Sequence, residues 1–143
     1  MGSLLDNLER LQQSTRGVFA RHGVVLAYLY GSQARGEAGP LSDVDVAVGF
    51  APHVPPDERF RRTLELSAEL GALLQRHDVS VVDVAVAPPL LRHRIYLDGR
   101  LLHCPDQREH IRFATRAVRD YVDTEPLRRI KRHYVLRRFE EGG

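Results

Sequence analysis

The fold is decided by residues 24–48, which read VVLAYLYGSQARGEAGPLSDVDVAV. The seven apolar residues at 24–30 are typical of a buried strand, and Gly31 and Ser32 follow it directly. At that point the chain is expected to turn into a short helix, so that backbone N–H groups and the Ser32 hydroxyl could face an anion. The stretch therefore predicts a strand that ends in a phosphate-binding turn.

A pair of carboxylates, Asp43 and Asp45, stands at the start of the next apolar run. Side chains alternate between the faces of a strand, so these two carboxylates point one way while Val44, Val46 and Val48 point the other. Mg²⁺ is usually held by one or two carboxylates together with substrate phosphates. A carboxylate pair next to a phosphate-binding turn therefore predicts a site for Mg²⁺ and a nucleotide.

A third acidic residue, Asp83, lies inside the apolar run at residues 80–86, which is predicted to form a strand. A buried charge is unfavourable unless it is paired, so such a residue usually contacts a metal, a cation or a hydrogen-bond donor. Asp83 is therefore a candidate third carboxylate of the same site. The alternative is an ion pair with an arginine.

Composition indicates one globular domain of ordinary size. The chain has 143 residues, of which 43% are hydrophobic and 28% charged, and no stretch approaches the length of a membrane span. The first ten residues are amphipathic and include acids, which does not fit a signal peptide. Cys104 is the single cysteine, so an internal disulfide is excluded and a reducing compartment fits. We expect a cytoplasmic protein.

Helical and strand patterns alternate along the chain, which predicts an α/β fold with a small sheet flanked by helices. Predicted helices cover residues 4–22, 56–76 and 90–97 and a segment that starts near 105, and predicted strands cover 24–30, 43–50, 80–86 and 100–103. The helix at 56–76 is expected to bury a broad apolar stripe that includes Phe60, Leu64, Leu66 and Leu70.

The residues Gly31-Ser32-x-x-Arg35-Gly36, followed by Ser42-Asp43-x-Asp45, resemble the nucleotidyltransferase superfamily with a DNA polymerase β-like catalytic core. More narrowly, the chain resembles the minimal nucleotidyltransferase (Mnt-type) antitoxins that accompany HEPN-domain ribonuclease toxins. The resemblance implies a polymerase β-like core with a small mixed sheet, which we assign to residues 1–124.

The resemblance also implies roles for individual residues. Asp43 and Asp45 would hold Mg²⁺, and Asp83 would complete a metal shell and orient or deprotonate the incoming hydroxyl. Gly31, Ser32, Arg35 and Ser42 would bind the phosphates of ATP. Two of these residues have other interpretations, because Arg35 could form a surface ion pair with Glu37 and Ser42 could only shape the turn.

The activity implied by the resemblance is the transfer of AMP from Mg-ATP to a tyrosine hydroxyl of a HEPN toxin, which neutralises the toxin. One alternative is an antitoxin that acts by binding alone. Transfer to a small molecule is disfavoured, because relatives of that type carry an additional helical domain for which this chain has no room. No nucleic-acid or membrane partner is expected.

Residues 125–143 differ in character from the rest of the chain, since apolar residues such as Leu127 and Ile130 are interspersed with many arginines. One interpretation is a terminal helix that packs on its own domain. The other is a segment that docks a partner protein.

Overall fold

The structure, a computed structural model, describes residues 7–36 and 43–142. Within these ranges the chain forms six helices and four strands. They are α1 (Leu8–Arg21), β1 (Val24–Tyr30), α2 (Ser32–Arg35), β2 (Val44–Phe50), α3 (Pro56–Leu74), β3 (Val79–Asp83), α4 (Pro89–Asp98), β4 (Arg100–His103), α5 (Gln107–Asp123) and α6 (Glu125–Gly142).

The four strands form one mixed sheet in the order β3-β2-β1-β4. β1 is antiparallel to both β2 and β4, whereas β2 and β3 are parallel and are joined by the crossover helix α3. The antiparallel pairing brings the end of β1 next to the start of β2, where Tyr30 pairs with Asp45. This is the small mixed sheet that the sequence predicts.

Both faces of the sheet are covered by helices. On one face Val44, Val46 and Val48 are at most 2% exposed and belong to a core that includes Phe19 of α1 and Leu66 of α3. On the other face a second core joins residues of β1 and β2 to α4 and α5; its members include Leu26, Tyr28, Ala47, Ile95 and Phe113. The alternation predicted for β2 is therefore confirmed.

β3 ends at Asp83, three residues earlier than the sequence predicts. The Asp83 carboxylate accepts a hydrogen bond of 2.9 Å from the Ala85 amide, and the Val86 amide donates to the Asp83 carbonyl at 3.2 Å. An aspartate that bonds the backbone two residues ahead stabilises a turn. The Val84 amide still donates to the Val48 carbonyl at 2.9 Å, and the strand ends in this turn.

The apolar stripe of α3 is narrower than predicted. Leu66 and Leu70 are buried, but Phe60 is 73% exposed and Leu64 is 56% exposed. A helix that packs on one side of a sheet buries only one stripe, and these two side chains lie outside it. The helix also ends at Leu74, two residues earlier than predicted, because Gln75 adopts a left-handed conformation with φ 56°.

The C-terminal helix α6 begins at Glu125, and its first turn is attached to α5. The Arg128 guanidinium lies 3.7 Å above the Tyr121 ring, and its Nη2 donates to the Tyr121 carbonyl at 2.9 Å. Leu127 and Ile130 remain 70% and 54% exposed. The first turn thus packs on the domain, while the docking role of residues 125–143 stays a prediction. No helix in the described ranges is long and apolar enough to cross a membrane.

Two glycines inside helices provide a test of the packing. A Cβ at Gly17 of α1 would have no neighbour within 4 Å, whereas one at Gly71 of α3 would lie 2.7 Å from the Arg76 carbonyl oxygen. We expect Gly17→Ala to stabilise the fold by about 0.5–1 kcal/mol. Gly71→Ala should destabilise it by about 1–3 kcal/mol, because the backbone must shift. Urea unfolding measures both, and equal effects would contradict the close approach at Gly71.

Candidate active site

The predicted carboxylate pair lies at the start of β2. Asp45 is the second residue of the strand and is partly buried next to its partner Tyr30, while Asp43 precedes the strand and is exposed. The two charges interact, since Asp43 contributes to the raised pKa of Asp45. The structure therefore brings Asp43 and Asp45 together, on the side of β2 opposite its buried valines.

Gly31 places the turn after β1 directly against Asp45. It has φ +74°, and a Cβ at this position would lie 2.6 Å from Asp45 Oδ2. Only glycine fits, both because of the backbone conformation and because of the carboxylate beside it. Gly31 precedes α2, so the first N–H groups of that short helix, including that of Ser32, have no acceptor within the helix.

The local electrostatics favour a cation at this position. The pKa of Asp45 is raised mainly by burial and also by Asp43, and the charge of Arg35 acts in the opposite direction. The pKa of Tyr30 is raised by burial and by the charge of Asp45. The two carboxylates repel each other at a partly buried position. A divalent metal ion would relieve this repulsion, because it binds carboxylate oxygens and offsets their negative charge.

Arg35 forms an ion pair at the edge of the site. Its Nη1 donates to Asp98 Oδ2 at 3.0 Å, and Arg94 Nη1 lies 3.9 Å from the same oxygen. Asp98 is the last residue of α4 and its side chain is only 14% exposed, so it provides a fixed partner. The alternative partner from the sequence, Glu37, lies outside the described residues, as does Ser42.

A second arginine flanks the pair, and sequence reasoning missed it. Arg76 binds Asp78 through two hydrogen bonds, Nε to Oδ1 at 2.8 Å and Nη2 to Oδ2 at 2.7 Å. The pKa of Arg76 is raised first by this hydrogen bond and also by the charge of Asp43. The Val44 amide donates to the Asp78 carbonyl at 3.0 Å, which fixes this loop at the start of β2. Only the parallel pairing of β2 and β3 reveals this neighbour.

The third predicted carboxylate, Asp83, does not join the pair. In the β2–β3 ladder Asp45 pairs with Ser80, whereas Asp83 pairs with Val48, three positions farther along the strand. Asp83 is 7% exposed, and its carboxylate accepts the Ala85 amide. In the ranges that the structure describes, no group of three or more His, Cys, Asp or Glu side chains is placed to hold a metal ion.

The charge repulsion at the pair has a measurable consequence for stability. Because the pKa of Asp45 is raised in the folded state, ionising this carboxyl disfavours folding. We expect Asp45→Asn to raise the melting temperature of the metal-free protein at neutral pH. The gain should disappear below about pH 4, where the carboxyl is protonated in both states.

Asp78→Asn is the matched control, because the hydrogen bond from Arg76 lowers the pKa of Asp78. That carboxylate stabilises the fold above its unfolded pKa, and the contribution is lost as the pH falls through its folded pKa. Asp78→Asn should therefore lower the melting temperature at neutral pH. A lower melting temperature for Asp45→Asn as well would contradict the assigned electrostatics.

A curated relative from Methanocaldococcus jannaschii is 30% identical over 89 residues, which cover 62% of this chain and 90% of the relative. That protein is provisionally named a protein adenylyltransferase.

Solved structures share the fold. A crystal structure of a toxin–antitoxin with AMP-PNP aligns with a TM-score of 0.72 at 24% identity, covering 87% of this chain and 98% of the other. A Shewanella oneidensis MNT antitoxin, in complex with a tri-AMPylated HEPN toxin, aligns with a TM-score of 0.64 at 23% identity, over 87% of this chain and 98% of that one. At these identities the likeness establishes the fold alone, which agrees with the predicted α/β class of a small mixed sheet flanked by helices.

The family follows from the sequence match. Residues 13–108 match the family described as "Polymerase beta, Nucleotidyltransferase", a range that begins in α1 and ends in α5 and contains both the Gly31 turn and the carboxylate pair. The resemblance inferred from the motif is thereby confirmed. The chain belongs to the polymerase β nucleotidyltransferase family and is a nucleotidyltransferase.

Proposed function

We propose that this protein is an antitoxin that transfers AMP from Mg-ATP to a tyrosine hydroxyl of a HEPN ribonuclease toxin. The main support for the proposal is the close approach of the Gly31 turn to Asp45. Asp43 lies two residues earlier, at the same end of β2. The relative named for protein adenylylation and the antitoxin complex with an AMPylated HEPN toxin support the choice of acceptor.

The residues present fit a bound Mg-nucleotide. Asp43 and Asp45 would hold Mg²⁺, which when bound offsets the charge of the phosphates and of the leaving pyrophosphate. Their mutual repulsion and the burial of Asp45 are the features that a divalent cation would relieve. The Gly31 backbone, the Ser32 amide and hydroxyl, and Arg35 would contact the phosphates, and we retain Ser42 as a further candidate.

In the proposed reaction the tyrosine oxygen forms a bond to the α-phosphorus of ATP. The bond between that phosphorus and the oxygen bridging to the β-phosphate breaks, and pyrophosphate leaves with that electron pair, while the hydroxyl proton is released to water. Arg35 and Arg76 flank the carboxylate pair and would stabilise the negative charge that shifts toward the leaving group. The product adds negative charge and bulk to the toxin, which would oppose RNA binding.

The alternative, neutralisation by binding alone, is favoured by one observation. The start of α6 presents Leu127 and Ile130 to solvent beside several arginines, as a docking helix would. We propose that residues 125–143 contact the partner in either case. The assembled turn and carboxylate pair favour catalysis, because an antitoxin that only binds has no need of a glycine turn held against a carboxylate.

The first test is the intact mass of a HEPN toxin co-produced with this protein. With the wild type we expect the toxin mass to rise by whole AMP units. With Asp43→Asn or Asp45→Asn the increase should be absent, because one oxygen ligand of the proposed metal site is lost. Asp57→Asn, on the exposed first turn of α3, is the matched control and should leave the modification intact. A toxin that stays bound and neutralised but unmodified with every variant would favour the binding-only alternative.

Asp83→Asn in the same assay tests whether Asp83 is a metal ligand or lies apart from the metal site. The sequence predicts a metal ligand, whose loss would remove the modification as completely as Asp45→Asn. Because the structure places Asp83 away from the pair, we expect transfer to fall by less than about tenfold, the lower end of the effect of losing a residue that supports a metal site. A complete loss, with the melting temperature unchanged, would restore the metal-ligand assignment.

A further inference from the structure

A small cavity lies at the opposite end of the sheet from the candidate active site. It has a volume of about 160 Å³ and is lined by residues at the start of β1, including Leu26, and at the end of β2, including Gly49. Leu26 pairs with Gly49, four residues along β1 from the Tyr30–Asp45 pair, a separation of roughly 13 Å along the strand. The two sites are therefore distinct.

Arginines supply most of the charged groups in a lining that is otherwise largely apolar. Arg59, Arg92, Arg112 and Arg116 contribute to it, together with Asp83 and Glu109. The four arginines come from three helices, α3, α4 and α5.

These arginines outnumber the carboxylates that pair with them. Arg92 Nη2 and Arg116 Nε lie 3.0 and 3.6 Å from the same Asp120 oxygen, and Arg112 Nη1 lies 3.3 Å from Glu109 Oε1. The Arg59 Nε donates to the Val54 carbonyl, which neutralises no charge. With Asp83 included, four arginines stand beside three carboxylates, which leaves an excess of one positive charge that an anion would balance.

Arg92 is the residue that points most directly to a ligand. It is 8% exposed, and its buried Nε has no hydrogen-bond partner among the described residues. Buried polar groups in native proteins almost always have a partner, and a buried guanidinium N–H is among the strongest donors. An acceptor in the adjoining cavity would satisfy this N–H.

We propose that this cavity binds a small phosphate-type oxyanion. The volume is several times the ~30 Å³ that one water occupies, yet it lies below the ~300 Å³ at which pockets begin to hold drug-sized molecules. The volume therefore suits a tetrahedral oxyanion better than an enclosed nucleotide. Arg92, Arg112 and Arg116 donate to its oxygens.

Asp83 gives the site a preference for phosphate over sulfate. Hydrogen phosphate carries a proton at neutral pH and can donate it to a carboxylate, whereas sulfate carries none and is repelled. Asp83 lines the cavity, and one of its carboxylate oxygens accepts the Ala85 amide, so a hydrogen phosphate bound there would donate to the other oxygen. This assignment is independent of the proposed AMP transfer and explains why an acidic residue lies apart from the metal site.

The test is a titration of the metal-free full chain with inorganic phosphate, followed by the NMR signals of the Ala85 amide and the Arg92 Nε–H. We expect both signals to shift and saturate, with sulfate binding more weakly. Arg112→Gln combined with Arg116→Gln should weaken phosphate binding by about tenfold or more, since two charge-assisted contacts are lost. Both side chains are largely exposed, so the fold should tolerate the change.

Two further variants sharpen the outcome. Arg119→Gln changes an exposed arginine of the same helix that does not line the cavity, and it should leave the affinity unchanged. Asp83→Asn retains an oxygen for the Ala85 amide, and it should bring sulfate binding up to that of phosphate. Shifts confined to the Gly31 turn, an equal loss of affinity with Arg119→Gln, or sulfate binding as tightly as phosphate in the wild type would overturn the proposal.

Discussion

The antiparallel pairing of β1 with β2 is the constraint on which the rest of the structure depends. It sets Tyr30 opposite Asp45 and thereby places the Gly31 turn against a carboxylate. The buried valines of β2 fix this register, because a slip by one residue would turn Asp45 into the core that contains Phe19 and Leu66. The hydrophobic core and the chemistry of the site are thus two faces of one strand.

The site reduces the stability of the fold that supports it. Burial and the neighbouring Asp43 raise the pKa of Asp45, so ionisation of this carboxyl disfavours folding. Arg35, which pairs with Asp98, and Arg76, which pairs with Asp78, place positive charge next to the carboxylates. Sites that keep like charges close together in this way trade stability for function, as is usual for binding sites awaiting a cation.

Sequence patterns between neighbouring residues predicted more of the structure than patterns between residues far apart in the chain. The alternation of Asp43, Val44 and Asp45 has a period of two, so the sequence alone separates the carboxylate face from the core face. Asp83 could not be placed in the same way, because its position depends on how β3 aligns with β2 after the α3 crossover. The neighbour Arg76 became visible only through that parallel alignment, and the exposure of Phe60 only through the side of α3 that meets the sheet.

The candidate active site and the arginine-lined cavity, at opposite ends of the sheet, have opposite electrostatic character. This difference follows from the positions of the charged residues and not from the net charge of the chain. The net charge is only +2, and Lys131 is the single lysine among 21 basic residues. Arginine suits the cavity end of the sheet, because its planar guanidinium can pair with one carboxylate and still present another N–H to a second acceptor. Arg92 shows this arrangement, since its Nη2 contacts Asp120 while its Nε stays available. A lysine at this position has one nitrogen and could not hold Asp120 and a separate oxyanion with the same fixed geometry.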